Sequence, residues 1–297
     1  MTQIKEEITI AVVGDVHDLW EEEDKIALQH LGVDLVLFVG DFGNEAVEIV
    51  RNIAGVNLPK ATIMGNHDAW YTASSWGRKK APYDQSTEDR VQQQLDLLGE
   101  THVGFDKLDF PQFAVSVVGS RPFSWGGSTW KNNQFYRDRY DIKSFEESTQ
   151  QIVESAKNAA HETLIFIAHN GPYGLGDKTE SICGRDWNLD GGDYGDPDLT
   201  EAIAQVRNLG RSIPLVTFGH MHHELKNPHG KRRNIIEMQD GTVYLNAACV
   251  PRITKSSHGS QRSFSLVTLR QGIVQSISLV WLNQDFVIQS DEVLYQA

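Results

Sequence analysis

The sequence predicts an α/β fold in which two β-sheets pack together and helices cover them. The first observation is a β-α-β-α-β order within residues 1–68, where continuous apolar runs alternate with segments of helical spacing. The second is a set of further strand-like runs and hairpins after residue 113. The third is that five strand-like runs end in residue types that bind metals. In α/β sheets the carboxyl edge of the strands is where sites assemble, so we expect the functional site there.

The first 68 residues supply three strands and two helices. Residues 8–13 form a continuous β-branched run, as expected of a strand buried on both faces, and runs at 35–39 and 61–64 follow. The acidic run 21–24 suits a first helical turn, where the helix dipole favours negative charge, and Gly32 suits the helix end. A second helix is predicted at about 45–53.

The rest of the chain adds a second set of strands. Helices are predicted at 88–98, from the capping-box pattern at Ser144 to about 160, and at 198–209. Strands are predicted at 113–118, 164–168 and 215–218, and hairpins at 235–245 and 264–282. We expect one domain over 1–297, with loop insertions at about 69–87, 119–143 and 170–198. The last insertion is rich in Gly and Asp, which suits a mobile flap.

Composition limits the class of protein. Of 297 residues, 40% are hydrophobic, enough for a large core, and the formal net charge is −13. That charge argues against general nucleic-acid or anionic-membrane binding. No apolar run approaches a membrane span, and the N-terminus lacks an apolar signal core. The two cysteines, Cys183 and Cys249, form no metal or redox motif, which favours a cytoplasmic location.

Five strand ends carry the chemistry. Each combines glycine or alanine with carboxylate, amide or imidazole side chains: Gly14-Asp15-Val16-His17, Gly40-Asp41, Gly65-Asn66-His67-Asp68, Ala168-His169-Asn170 and Gly219-His220-Met221-His222. In an extended segment, residues two apart share a face, as in the first and last runs. Oxygen and imidazole donors without thiolate suit divalent manganese, iron or zinc. Two such ions about 3.5–4 Å apart are a recurrent device for displacement at phosphorus. The alternative is a set of strand-end caps and turns.

In the order and form of these five motifs, the chain resembles the calcineurin-like metallophosphoesterase superfamily. The Gly-Asn-His-Asp and His-Asn-Gly-Pro forms also resemble a cyanobacterial and plastid-like branch of it. The resemblance implies a four-layer αββα sandwich of two mixed β-sheets flanked by helices, and two divalent metal ions. It implies one ion held by Asp15, His17, Asp41 and His222, and a second held by Asp41, Asn66, His169 and His220. It further implies attack by a hydroxide that bridges the ions, with His67 as general acid oriented by Asp68 or Asn44.

The chain departs from the pattern after the bridging aspartate. Phosphoprotein phosphatases of this superfamily have an Asp-Arg pair there, and the Arg holds phosphate, whereas this chain has Asn44 and Glu45. Arg121 is our first candidate to replace that arginine, because a planar guanidinium suits bidentate phosphate contacts. Its alternative is a surface arginine stacked on an aromatic ring. Arg185 is the second candidate, and His223 lies beside the site as a third substrate-binding residue.

The predicted function is hydrolysis of a small phosphorylated metabolite or nucleotide, with phosphodiesters favoured over monoesters because the arginine is absent. The alternatives are a phosphoprotein phosphatase, or a non-catalytic interaction module on the same fold. Aromatic residues of the long loops either line a substrate pocket or only pack: Trp70, Trp76, Trp125, Trp130 and Trp187. The remaining histidines are expected at surface or packing positions: His30, His102, His161 and His258.

Overall fold

The computed structural model describes residues 4–227, 229–257 and 259–297, so His258 and residues 1–3 lie outside the described part. Numbered in chain order, the strands are β1 (Glu7–Val13), β2 (Leu35–Phe38), β3 (Lys60–Thr62), β4 (Lys107–Phe110), β5 (Val115–Gly119), β6 (Thr163–Ile167), β7 (Ser212–Phe218), β8 (Glu224–Leu225), β9 (Gly230–Lys231), β10 (Ile236–Gln239), β11 (Thr242–Asn246), β12 (Ile253–Ser256), β13 (Gly259–Arg270), β14 (Ile273–Leu282) and β15 (Ile288–Gln296). The helices are α1 (Glu22–His30), α2 (Val47–Ala54), α3 (Ser75–Arg78), α4 (Arg90–Leu98), α5 (Asn133–Tyr140), α6 (Phe145–Lys157) and α7 (Pro197–Asn208), with 3₁₀ turns at His67–Ala69 and Gly99–Thr101.

Two large mixed sheets form the framework. One has the order β15-β14-β13-β1-β2-β3, with β12 paired to β13, and the other has the order β10-β11-β7-β6-β5-β4. The strands β1, β2 and β3 are parallel to one another, as are β5, β6, β7 and β11. In each sheet, therefore, several strand ends lie along one edge, which confirms the fold class predicted from the sequence.

The apolar residues divide between the two faces of each sheet. In β1, Ile8, Ile10 and Val12 belong to a buried cluster with residues of the other sheet, such as Ile165 and Leu215. The alternate residues of β1, Ala11 and Val13, belong to a second cluster that includes helix residues. Both faces of β1 are thus buried, because side chains alternate along a strand. The result is helices outside and two sheets inside.

Local signals explain several boundaries. The Ser144 hydroxyl accepts a hydrogen bond from the Glu147 amide at the start of α6, as the capping pattern predicts.

The strands β4 and β15 and the helix α5 were not predicted. The sequence of β15 is Ile-Gln-Ser-Asp-Glu-Val-Leu-Tyr-Gln. This strand is mostly exposed at a sheet edge, so its sequence lacks a clear apolar alternation. Among the described residues, no helix is long and apolar enough to cross a membrane.

Candidate metal centre and substrate cavity

The predicted ligand residues follow the carboxyl ends of parallel strands from both sheets. Asp15 and His17 come after β1, Asp41 after β2, and Asn66 after β3. His169 comes after β6, and His220 and His222 after β7. The fold therefore brings together every residue that the sequence analysis named as a metal ligand.

The backbone at these strand ends is unusual. Asp15, His17, Asp41 and His220 have φ values of 49°, 44°, 56° and 68°, in the left-handed region that costs free energy for residues other than glycine. Strain of this kind concentrates at functional sites, where the surrounding structure maintains it.

Glycine is required beside two of these carboxylates. A Cβ atom at Gly219 would lie 2.1 Å from Asp15 Oδ2, and one at Gly65 would lie 2.3 Å from Asp41 Oδ1. Both distances are far below van der Waals contact, so the motif glycines allow the carboxylates to approach neighbouring backbone.

The first group of donors contains Asp15, His17 and His222. His17 Nε2 lies 3.1 Å from His222 Nε2, and His222 Nε2 lies 3.3 Å from Asp15 Oδ1. Burial raises the pKa of the Asp15 carboxyl, but its hydrogen bond to His222 and the charge of that ring outweigh burial and lower the pKa. The carboxyl therefore favours the anionic form, which is the form that binds a cation.

The second group contains His169, Asn66 and His220. His169 Nε2 lies 3.0 Å from Asn66 Oδ1 and 3.1 Å from His220 Nδ1. On its other side, His169 Nδ1 donates a hydrogen bond to the Val39 carbonyl at 2.8 Å. That bond fixes the tautomer and leaves Nε2 free to bind a metal, as is usual for histidine ligands.

Asp41 lies between the two groups. Its Oδ1 atom is 3.3 Å from His169 Nε2, and its Oδ2 atom is 4.0 Å from His17 Nε2. The side chain is 2% exposed, and burial raises its pKa, but the nearby His169 and His67 rings lower it well below the usual range. One carboxylate thus presents a different oxygen to each group of donors.

His67 lies at the mouth of this arrangement, and Asn44 holds it. The His67 Nδ1–H group donates to Asn44 Oδ1 at 2.6 Å, and the imidazole stacks on Trp70 at 4.5 Å between ring centroids. His67 Nε2 lies 3.9 Å from Asp41 Oδ2. These contacts direct Nε2 toward the donors, as an acid for a leaving group requires.

The Asp68 side chain, predicted as one of two residues that orient His67, contacts backbone amides. Its two carboxylate oxygens accept hydrogen bonds from the backbone amides of Asp41, Phe42 and Gly65, at 3.0, 2.9 and 2.6 Å. Asp68 thus holds the loops that carry Asp41 and Asn66, and of the two residues predicted to orient His67 it is Asn44 that contacts the ring.

A cavity of about 340 Å³ opens above the donors. We call it the site cavity; its lining comprises Asp41, Asn66, His67, Trp70, Trp125, Asp186, Trp187, Tyr194, His220, Met221, His222 and Lys226. Of the five loop tryptophans considered in the sequence, Trp70, Trp125 and Trp187 line it. Trp130 instead packs against Tyr136 and Phe145.

Arg121 does not take the place of the absent arginine. It is 4% exposed, and its guanidinium donates to Asp198 and Asp196, each at 2.8 Å. The guanidinium is therefore used within the protein, and the described residues that line the site cavity do not include Arg121. The phosphate contact stays a prediction that this position does not support, because Asp196 and Asp198, from a distant part of the sequence, engage the guanidinium.

Arg185 and His223 also lie outside the lining of the site cavity. The Arg185 side chain donates from Nε to the Gly191 carbonyl at 2.8 Å, within its own insertion. His223 donates from Nε2 to the Asn246 carbonyl at 3.0 Å, and burial lowers the pKa of its ring to about 4. Each of these two side chains, for which a substrate contact is predicted, donates a hydrogen bond to a backbone carbonyl.

Glu45, which stands where phosphoprotein phosphatases have arginine, is hydrogen-bonded within the protein. Its carboxylate is buried and accepts hydrogen bonds from the amides of Tyr71 and Thr72, at 2.8 and 2.7 Å, and from the Tyr83 hydroxyl. Glu45 thereby fixes the 69–87 insertion beside the metal centre, which explains an acid at this position.

The 170–198 insertion is closely hydrogen-bonded rather than open. Tyr194 donates its amide to the Cys183 carbonyl, and Asp196 to the Gly171 carbonyl. Arg232, which is 4% exposed, donates to the carbonyls of Thr179 and Gly184 within the insertion and to that of His222. These bonds tie the insertion to itself and to the backbone that follows β7, and the mobile flap stays a prediction.

Three residues of the lining were not predicted as site residues from the sequence: Asp186, Tyr194 and Lys226. Lys226 and Tyr194 lie in segments without a motif, and only the fold brings them to the cavity. Among the described lining residues, Lys226 is the one lysine or arginine.

Comparisons with known proteins agree with this geometry. A family model described as calcineurin-like phosphoesterase matches residues 8–224. None of the curated proteins compared with the chain matches it. A solved structure of a dimetal phosphatase from Danio rerio is 11% identical, with a TM-score of 0.50 over 98% of this chain and 99% of its own. A second solved structure, the protein TT1561 of Thermus thermophilus, is 14% identical, with a TM-score of 0.49 over 89% of this chain and 99% of its own.

At these identities the likeness between structures concerns the fold, and the family model carries the assignment. It spans all five motifs, from Asp15 to His222. The chain belongs to the calcineurin-like phosphoesterase family, and it is a metal-dependent hydrolase of phosphoesters.

Proposed function

We propose that the protein hydrolyses a small phosphorylated metabolite or nucleotide at a pair of divalent metal ions, and that it prefers phosphodiesters to monoesters. The observation that carries the proposal is the position of Asp41, whose two carboxylate oxygens face separate groups of oxygen and imidazole donors. That arrangement fits a carboxylate shared by two ions.

The donor chemistry supports manganese, iron or zinc, since it combines carboxylate, amide and neutral imidazole without thiolate. Asp15, His17, His222 and Asp41 would hold one ion, and Asp41, Asn66, His169 and His220 the other. When bound, the ions polarise the phosphoryl group and supply a nucleophile at neutral pH.

His67 is the proposed general acid. Asn44 Oδ1 accepts a hydrogen bond from the Nδ1–H group and Trp70 covers one ring face, so the imidazolium form would direct its second proton, on Nε2, toward the cavity. A leaving alkoxide needs that proton, whereas a weakly basic phenolate needs it less.

The charge of the cavity supports a diester. A monoester carries close to two negative charges at neutral pH, and a diester carries one, so a monoester needs more positive side chains beside the ions. Lys226 is the one lysine or arginine among the described lining residues, and the Asp186 carboxylate lines the same cavity. The free cysteines Cys183 and Cys249 support a cytoplasmic location.

A substrate panel tests the proposal. The metal-depleted protein is reloaded with manganese, zinc or iron and assayed with aryl monoesters, aryl diesters, cyclic nucleotides and a phosphopeptide at equal metal concentration. We expect turnover of aryl esters with a higher kcat/KM for the diester. Turnover of the phosphopeptide alone would support a phosphoprotein phosphatase, and no turnover with any metal would contradict an enzyme.

A further inference from the structure

The site cavity has an aromatic wall that the metal chemistry does not use. We define this wall as Trp70, Trp125, Trp187 and Tyr194, all of which line the same cavity as the metal donors. The four rings form two contacting pairs. Trp70 stacks on Trp125 with 5.2 Å between centroids and 18° between planes, and Trp187 meets Tyr194 edge to face at 4.7 Å.

The first pair is joined to the catalytic residues. His67 stacks on Trp70 at 4.5 Å, and Trp70 stacks on Trp125, so three nearly parallel rings extend from the proposed acid along the cavity. A phosphoester at the metal centre therefore has aromatic surface within reach of the group that it carries.

Within the second pair, Tyr194 is held by hydrogen bonds of the protein. The Tyr194 carbonyl accepts hydrogen bonds from the Gly127 amide at 2.8 Å and from Asn170 Nδ2 at 2.9 Å, and its hydroxyl contacts Lys131. Asn170 directly follows the metal-ligand candidate His169. The metal centre and this part of the wall thus share one scaffold, which lowers the entropic cost of ordering a bound group.

Trp187 shows that the wall is not ordinary packing. Its side chain is 46% exposed although it lies at the cavity. A large aromatic side chain gains stability by burial, and one left half exposed at a concave polar site offers surface for a ligand to cover. The cavity volume of about 340 Å³ falls within the range of small-molecule sites, roughly 300–1,000 Å³.

Resting on the proposed function, we propose that the aromatic wall is a subsite for a planar ring, and that the substrate is a phosphoester carrying a nucleobase or aryl group. Indole and phenol rings bind planar rings by stacking irrespective of the identity of the base. In this arrangement the metal centre binds the phosphoryl group of the substrate, and Lys226 lies beside that negatively charged group. The planar ring of the substrate lies against Trp187 and Trp125.

Activity tests the subsite with three diesters that share one leaving group. Nitrophenyl phosphodiesters whose second substituent is methyl, phenyl or a nucleoside differ only in the group offered to the wall. We expect kcat/KM for the phenyl and nucleoside esters to exceed that of the methyl ester by about 5- to 150-fold, the range that stacking of one base corresponds to. Trp187→Ala should reduce that ratio, and Trp187→Phe should restore part of it.

The matched control is Trp281→Ala, which removes a half-buried tryptophan of β14 that does not line the site cavity. This variant should keep the parent ratio. If the parent protein hydrolyses the methyl ester with a kcat/KM within about twofold of that for the phenyl and nucleoside esters, the subsite is overturned. The proposed function remains intact in that case. No hydrolysis of any of the three esters would instead contradict the proposed function.

Binding supplies a readout independent of turnover. Adenosine 5′-monophosphate and ribose 5-phosphate share a sugar and a phosphate and differ by the base. Calorimetric titration of the metal-free protein should show tighter binding of the nucleotide by at least about fivefold, and Trp187→Ala should reduce that difference. Equal affinity for the two ligands would overturn the proposal.

Discussion

Replacing Arg121 by Gln should destabilise the protein strongly without changing its metal content. The guanidinium donates to Asp196 and Asp198 at 2.8 Å each, and the three side chains are between 0% and 4% exposed. The carboxylates raise the pKa of Arg121 well above its usual value although burial opposes this. Its removal leaves two buried carboxylates without a cation, and breaking such a buried arrangement costs about 3–5 kcal/mol.

Urea unfolding followed by circular dichroism measures this loss. Arg137→Gln is the matched control, because Arg137 is exposed on the neighbouring helix α5 and its loss should cost less than about 0.5 kcal/mol. Arg121→Lys should retain part of the lost stability, since a cation remains. If Arg121→Gln had the parent stability but a tenfold lower kcat/KM, the structural role would be refuted and a phosphate contact restored.

Three further predictions concern catalysis and pH. His67→Ala should keep both metals and lose about 10²–10⁴-fold in rate with poor leaving groups, but less with nitrophenolate; an equal loss across leaving groups would argue against an acid. Lys226→Ala should lower kcat/KM by about tenfold, a loss of about 1.4 kcal/mol, while the exposed Lys157→Ala should not; equal values for the two variants would exclude a substrate contact. Burial lowers the pKa of His102 from 6.5 to about 4 in the folded protein. As the pH falls, this histidine therefore binds a proton in the unfolded chain at a higher pH than in the folded protein. Stability should therefore fall as the pH falls from 6.5 to 4, by at most about 3 kcal/mol, and His102→Gln should flatten that slope; an unchanged slope would contradict the assignment.

The sequence is enough to group the candidate metal ligands because these residues are attached to local features. A buried strand such as 8–13 reads as a continuous apolar run, and Asp15 and His17 follow it directly. Parallel strands then bring their carboxyl ends to one edge, so the fold class alone places these residues near each other. No long-range contact has to be known to group them.

The substrate-binding residues depend on long-range contacts and could not be predicted in this way. Arg121 carries no local sign that Asp196 and Asp198 will neutralise it. Lys226 and Tyr194 carry no local sign that they will line the cavity. Glu45 has the wrong charge for a phosphate contact, yet its acceptors hold the Tyr71 and Thr72 amides of an insertion.

The hydrogen bonding of the 170–198 insertion could not be predicted from its composition, for a similar reason. Glycine and aspartate are typical of mobile loops, but here they allow close approach and hydrogen bonding. A Cβ atom at Gly195 would lie 2.2 Å from the Pro172 carbonyl oxygen, and Asp193 accepts the Gly174 and Gly195 amides at 2.7 and 2.8 Å. Composition alone does not distinguish these uses of glycine.

The most direct test of the account is the number of metal ions that the chain binds with and without the Asp41 carboxylate. Metal analysis after gel filtration, with calorimetric titration of manganese or zinc, gives the stoichiometry and affinity of each site. We predict two ions per chain for the parent and for the exposed control Asp84→Asn, and markedly weaker binding of both ions by Asp41→Asn, with loss of activity. Two tightly bound ions and near-parent turnover in Asp41→Asn would contradict the shared carboxylate.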